Sequence, residues 1–248
     1  MNGKKIFCVI QARTGSTRLP GKVLFPIKHK PMIVHTIDRL KKSSRIDQIV
    51  LATTNLAEDQ VLLDLASSLK IESFAGSEND VLDRFYQAGK RYSADIVVRC
   101  TGDCPTIDWQ VTDRVIDQHL KNGNDYTSNT VTRSYPRGLD TEVIQFEALE
   151  RSWKEAKLPH EREHVTPYLY QHPELFSIEQ VEAEKNRWQP DLRLTVDTQE
   201  DFDFMAKIFD ALYDKNPFFL VDDILNLLNQ QPQLKEINRH VRQKPLAH

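Results

Sequence analysis

"KIFCVIQARTGSTRLPGK" (residues 5–22) joins an apolar run to a loop that carries three cations, Arg13, Arg18 and Lys22, and two glycines, Gly15 and Gly21. The run is rich in β-branched and aromatic residues and ends on a turn signal, so it predicts a strand over 5–10. A basic, glycine-containing loop directly after a strand implies anion binding. Glycine lets backbone N–H groups approach an anion whose charge Arg and Lys offset. The spacing is not that of a P-loop: five residues, "STRLP", separate Gly15 from Gly21, and Val23 rather than Ser or Thr follows Lys22. It is not G-x-G-x-x-G either, which removes support for a dinucleotide fold.

Outward from this stretch, apolar runs at 48–54, 71–76 and 95–100 alternate with segments of helical period at 31–42, 58–70, 79–92 and 109–121. In the first of these segments Pro31 opens a helix, and Ile33, Val34, Ile37 and Leu40 form one apolar stripe. Asn79 and Asp80 are good N-caps for the third. Continuous apolar strands alternating with helices predict an α/β fold, a doubly wound, mostly parallel sheet covered on both faces. Beyond residue 125 "DYTSNTV", "TEVIQF" and "FSIEQVEAE" alternate more, which predicts a small antiparallel excursion over about 125–190. "RLTV" (193–196) predicts a return to the core sheet, and helices over 200–213 and 221–230 close a single domain spanning 1–248. Phe202, Phe204, Phe209 and Tyr213 recur at helical spacing and read as core.

Bulk properties narrow the function. A hydrophobic content of 40% supports a sizeable core, and a net charge of −3 gives no global field toward nucleic acid or an anionic membrane. Any anion binding is therefore local. No apolar run approaches the roughly 20 residues of a membrane span, and the first apolar stretch is too short for a signal peptide. Cys8, Cys100 and Cys104 are odd in number and form no C-x-x-C, which argues against a disulfide framework and a zinc site. A reduced, cytoplasmic protein is expected.

Ligands of open α/β sheets bind outside the carboxyl ends of the strands. "TGDCP" (101–105) follows the 95–100 strand and "DTQED" (197–201) follows "RLTV", so two acidic loops should meet the basic one at the same edge. That combination suits a nucleoside triphosphate with a hard divalent cation. Mg²⁺ takes one or two carboxylates plus phosphates and water, which makes Asp103 and Asp197 the candidate metal ligands.

Six segments in order, "IQARTGSTRLPGKVLFPIKHKPMIVH", "GSENDVLDRFYQA", "VRCTGDCPTID", "GLDTEVI", "EREHVTPYL" and "LTVDTQEDF", resemble the sugar cytidylyltransferases. That family includes the CMP-sialate and CMP-Kdo (3-deoxy-manno-octulosonate) synthetases, and the chain is most similar to its SpsF-like spore-coat polysaccharide subgroup. The resemblance covers roughly residues 5 to 210. It implies a three-layer fold like that of the nucleotide-diphospho-sugar transferases. The implied reaction converts CTP and a 2-keto-3-deoxy sugar acid into a CMP-sugar and pyrophosphate for surface polysaccharide. It also implies Mg²⁺ at Asp103 and Asp197, and catalysis by Arg13, Lys22 and Asp103. The nucleotide would be held by Ala12, Arg13, Thr14, Gly15, Ser16, Lys22, Arg84 and Asp103. The sugar side would fall to Asp140, Glu142, Glu163 and His164, and the 125–190 excursion would carry sugar-binding loops and a homodimer contact. The chain departs from the better-studied branches at Gln11, where they usually read "PAR".

Two other enzyme readings share these loops. One is a nucleotidyltransferase using another nucleoside triphosphate or a sugar 1-phosphate. The other is a glycosyltransferase of related fold, against which a triphosphate-type basic loop argues. A binding protein with a degenerate site is countered by the joint presence of Arg13, Lys22, Asp103 and Asp197.

Overall fold

The computed structural model describes residues 3–243. The chain begins with β1 (Ile6–Gln11), then crosses a loop and a short turn into the two-residue strands β2 (Pro26–Ile27) and β3 (Lys30–Pro31), which form a small hairpin. There follow α1 (Met32–Leu40), β4 (Gln48–Thr54), α2 (Gln60–Ser68), β5 (Glu72–Gly76), α3 (Val81–Tyr92), β6 (Ile96–Thr101) and α4 (Trp109–Asn122). The second part comprises β7 (Tyr126–Ser128), β8 (Glu142–Gln145), α5 (Phe146–Glu155), α6 (Pro159–His164), α7 (Pro167–Gln171), β9 (Ile178–Gln180), α8 (Gln199–Leu212) and α9 (Val221–Gln230).

The main sheet has the order β5-β4-β1-β6-β8-β7-β9. Its first four strands pair in parallel, β8 runs antiparallel between β6 and β7, and β9 pairs with β7 in parallel. The sheet is thus mostly parallel with an antiparallel insertion, as the apolar runs predicted.

Strand β1 shows why the runs are continuous. Ile6, Cys8 and Ile10 pack on one side with α1, α8 and α9, and Phe7 and Val9 pack on the other with α3 and α5. Both faces are buried, so both sets of alternate residues must be apolar. The four aromatics of 202–213 join the first of these layers, with Phe204 and Phe209 fully buried.

Segment 193–196 differs from its expectation of a core strand. It joins the sheet's neighbourhood by a single parallel bridge, Arg137 to Arg193. The slot beside β6 is already filled by β8, paired along Ile96–Arg99. Residues 193–196 therefore run past the end of β6, where the Val196 N–H donates to the Asp103 carbonyl at 2.9 Å and Leu194 and Val196 are buried. Among the described residues, no helix is long and apolar enough to cross a membrane.

Candidate active site

The carboxyl ends of β1, β4, β5 and β6 lie along one edge and present the loops that follow them. The loop after β1 folds on itself: Gly21 and Ser16 donate N–H groups to the Thr14 carbonyl, each at 2.8 Å. Gly21 has φ +73°, a left-handed conformation that glycine adopts without penalty, and it directs the chain into Lys22. The loop is anchored from beneath by Asp59, just after β4, which accepts the Thr14 N–H and Oγ1–H at 2.7 Å each and the Thr54 hydroxyl. Burial acts to raise the Asp59 carboxyl, but the hydrogen bonds from Thr54 and Thr14 hold it below the ordinary aspartate value.

Lys22 reaches from this loop into the centre of the edge. Its side chain is 9% exposed, and Nζ donates to Asp103 Oδ2 at 2.8 Å, Asp197 Oδ1 at 2.9 Å and the Val196 carbonyl at 2.7 Å. Burial alone would lower its pKa, yet the charges of Asp103 and Asp197 raise it above the usual lysine value, so the ammonium stays charged. The same pairing lowers Asp103 against its own burial. Asp103 Oδ1 also accepts from the Thr101 hydroxyl at 2.7 Å. Asp197 is met by Arg18 on one oxygen and by Arg193 on the other, each at 3.1 Å, and Arg193 is held in turn by the fully buried Asp201.

Two cavities meet here. One, of about 600 Å³, is lined by Ala12, Arg13, Ser16, Arg18, Lys22, Arg84, Arg162 and Glu163 among others. The second, of about 620 Å³, is lined by Arg99, Cys104, Arg133, Arg137, Asp140, Glu142 and Tyr170 among others. Thr101, Asp103, His164 and Asp197 belong to both and form the shared wall. His164 ends α6, and Val165 after it takes φ +74° and ψ −55° with the Thr166 N–H donating to the His164 carbonyl at 2.9 Å. This is a γ-turn of the rare, strained hand, in a β-branched residue that is fully buried. Such a turn reverses the chain within one residue and leaves His164 at the wall.

In the first cavity Arg13 pairs with Glu78 at 2.7 Å. Arg84 is only 2% exposed, its Nε has no hydrogen-bond partner, and one Nη donates to the Glu78 carbonyl at 3.4 Å. Burial and the Arg13 charge press its pKa down to about 10. It stays a guanidinium, desolvated and in no ion pair among the described residues, with the charges of Asp59, Glu78 and Asp80 acting on it from a distance.

Of the residues nominated from the sequence, Ala12, Arg13, Ser16, Lys22, Arg84, Asp103, Glu163 and Asp197 line the first cavity. Glu163 therefore stands on that side and not among the lining of the second. Thr14 is turned to Asp59, and a Cβ on Gly15 would meet the Glu58 carboxylate at 3.1 Å, so these two support the loop from behind. Asp140 and Glu142 do line the second cavity, but both are engaged. Asp140 takes both Nη atoms of Arg133, at 2.8 and 2.9 Å, and Glu142 takes Arg99 and the Tyr126 hydroxyl. Asp59, Arg137, Arg193 and Asp201 were not foreseen. The run "TTNLAED" after a strand, dense in hydroxyl and acid groups, was the available signal for Asp59.

The carboxylates of Asp103 and Asp197 converge on one point, at present neutralised by Lys22. Among the described residues no group of three or more His, Cys, Asp or Glu surrounds it. Two carboxylates without further protein ligands fit a hard ion that completes its shell with phosphate oxygens and water, and do not fit a caged resident metal.

A cytidylyltransferase family model matches residues 7–237. The chain is 43% identical over 242 residues to an uncharacterized protein of Methanocaldococcus jannaschii, covering 97% of both. It is 34% identical over 235 residues to the spore coat polysaccharide biosynthesis protein SpsF of Bacillus subtilis, covering 92% of this chain and 95% of that one. The structure of a cytidylyltransferase from Leptospira borgpetersenii superposes with a TM-score of 0.89 at 31% identity, covering 99% of this chain and 100% of that one. A basic, glycine-containing loop, two convergent carboxylates and a family match over nearly the whole length agree: the chain belongs to the cytidylyltransferase family and is a nucleotidyltransferase.

Proposed function

We propose that the chain transfers CMP from CTP to a 2-keto-3-deoxy sugar acid of the octulosonic or nonulosonic type, releasing pyrophosphate, for surface polysaccharide. The observation that carries this reading is the pair of cavities meeting at Asp103, Asp197 and His164. One cavity has the cations a triphosphate requires, and the other, of similar volume, has room for a sugar on the far side of the same wall. The ordered motifs shared with the CMP-sialate and CMP-Kdo synthetases support the sugar acid as acceptor.

In this reading a sugar hydroxyl attacks the α-phosphorus of CTP in line. The bond from the α-phosphorus to the bridging oxygen breaks, and pyrophosphate leaves. Phosphoryl chemistry of this kind asks for positioning and charge stabilisation. Arg13, Ser16, Lys22 and Arg84 hold the nucleotide, and Lys22 and Arg13 stabilise the leaving pyrophosphate. His164, at the wall, contacts the acceptor. Mg²⁺ held by Asp103 and Asp197 would supply Lewis-acid polarisation of the phosphate and charge neutralisation. The reading takes the chain as one domain acting in the cytoplasm as a homodimer, with the contact in the 125–190 excursion; sedimentation equilibrium checks that state.

Pyrophosphate release with CTP, Mg²⁺ and a panel of octulosonic and nonulosonic acids tests the reaction. CTP should be preferred over UTP and GTP, and Asp103→Ala should lower kcat by about 10³-fold or more. Equal use of all nucleotides, or near wild-type turnover by that variant, overturns the assignment. No pyrophosphate release with any nucleotide and acid would return the chain to the glycosyltransferase reading.

A further inference from the structure

A line of side chains crosses four neighbouring strands and ends in the nucleotide cavity. Tyr126 on β7 donates its hydroxyl to Glu142 on β8. Arg99 on β6 donates from Nη1 to the other oxygen of Glu142, and from Nε to Gln11 Oε1 at 3.2 Å. Gln11 is the last residue of β1, and the order β1-β6-β8-β7 is that of the sheet itself. The Gln11 backbone is paired on both sides, in register with Ala52 and with Thr101, and its carbonyl accepts the Gly102 N–H at 2.9 Å.

A guanidinium only donates, so the end of the Gln11 amide that meets Arg99 is its oxygen. Nε2 is thereby turned away from Arg99, and among the described residues it has no acceptor. Gln11 lines the nucleotide cavity and not the acceptor cavity, although Arg99 lines the latter. By strand alternation Gln11 shares a face of β1 with Phe7 and Val9, which pack against α3. The first turn of α3 supplies to the cavity Val81, apolar and buried, and Arg84, whose Nε has no partner. This side of the cavity therefore offers an apolar surface and unspent donors, distinct from the loop cations that a triphosphate requires. A flat heteroaromatic base with acceptors along one edge matches it.

We infer that the Gln11 side chain selects the base of the nucleotide, its Nε2 donating to the N3–O2 edge of cytosine. Cytosine presents two adjacent acceptors there. Uracil carries an N–H at position 3, so a donor held at that place meets a donor. Arg99 is a positioning residue in this arrangement: it fixes which end of the amide meets the base, and is itself held by Glu142 and Tyr126. The inference rests on the CTP reading above and adds the group that would enforce it.

The test measures calorimetric binding of CTP and of UTP, with Mg²⁺ and without acceptor, to wild type, Gln11→Met, Gln11→Glu and Arg99→Lys. The ratio of the two affinities is the readout, because a change that loosens the fold or repels phosphate acts on both nucleotides alike. Wild type should favour CTP by about 10²-fold. Gln11→Met should bring the ratio within about threefold, chiefly by weakening CTP. Gln11→Glu keeps an oxygen for Arg99 but turns a second acceptor toward the base, and should reverse the ratio in favour of UTP. Arg99→Lys keeps a charge beside Glu142 but loses the planar fork that holds the amide, and should lower the ratio to about tenfold although residue 99 lines the other cavity. An unchanged ratio in that variant overturns the positioning role. If Gln11 serves only to satisfy Arg99, Gln11→Met melts earlier and keeps the wild-type ratio, which overturns the inference and leaves the CTP reading standing. A ratio that still favours CTP in Gln11→Glu overturns it as well. A wild type that binds CTP and UTP equally overturns the CTP reading and the inference with it.

Discussion

The nucleotide half of the cleft takes Arg13, Arg18 and Lys22 from ten consecutive residues and adds Arg84 from the first turn of α3. The acceptor half takes Arg99 from β6, Arg133, Arg137 and Asp140 from the loop between β7 and β8, and Glu142 from β8. In the first half one loop, closed by Gly21 and anchored by Asp59, shapes the site. In the second, pairs of opposite charge from different strands shape it. In the proposed reading the difference follows from what each half would hold. A triphosphate presents its charge in one compact run, which a single loop can follow. A sugar presents scattered hydroxyls and one charged group at most, and needs a rigid frame of mutually satisfied side chains. Each half keeps an arginine that is in no ion pair among the described residues: Arg84, nearly sealed from solvent, and Arg137, half-open.

The largest expected effect falls on the join between the halves. Lys22→Met leaves Asp103 without a cation beside Asp197, which keeps Arg18 and Arg193, and should cost about 3 kcal/mol of stability in the unliganded protein. Mg²⁺ alone should then raise the melting temperature of the variant and leave the wild type unmoved, because Lys22 already fills the place between Asp103 and Asp197. A magnesium-dependent melting temperature in the wild type, absent nucleotide, would show that the clip does not hold the ion out.

Between pH 7 and 4.5 the loss of stability should come from outside both halves, since the lowered carboxyls of Asp59 and Asp103 titrate only below that range. His119, fully buried on α4, sits between the Thr127 hydroxyl at 3.0 Å and the Gln145 amide at 2.7 Å, and burial lowers its pKa to about 4. The unfolded chain binds this proton near pH 6.5 and the folded one only near pH 4. Its contribution is therefore intact above about pH 6.5 and is lost as the pH falls toward 4, by about 3 kcal/mol in all. Urea titrations between pH 7 and 4.5 should show this slope flattened in His119→Gln. An unchanged slope would move the acid sensitivity into the cleft.

The smallest effect separates the two unpaired arginines. Arg84→Met removes a buried charge with an unpartnered Nε, so the unliganded protein should gain about 1 kcal/mol while KM for CTP rises about tenfold. Arg137→Met, with its charge partly solvated, should leave stability unchanged. Calorimetric melting of both variants decides it, and a destabilised Arg84→Met would mean that its aliphatic stem carries more than its charge costs.

Much of the frame was legible because it is local. Strand and helix periods gave β4 and α9 at their observed bounds, and the loops after β1 and β6 were placed by the strands before them. The convergence of Asp103 with Asp197 followed from the rule for sheet edges, although 193–196 reached that edge without becoming a strand. What escaped was pairing between distant segments. Nothing near Asp140 says that Arg133 will consume it, and nothing near Lys22 says that its ammonium will sit between residues 103 and 197. Glu163 and His164 are adjacent in the chain, and the turn at Val165 decides that only His164 borders both cavities.

The support beneath Asp197 gives residues 238–243 a stake in the candidate site. Arg193, which holds Asp197, donates to Gln243 Oε1 at 2.8 Å, and the Asn238 amide reaches both the Arg193 carbonyl at 3.3 Å and Asp201 Oδ1 at 2.9 Å. A cut or an insertion within residues 238–243 is therefore two hydrogen bonds from Asp197. Residues 238–243 thus act as scaffolding for the candidate site, although they lie far from it in sequence.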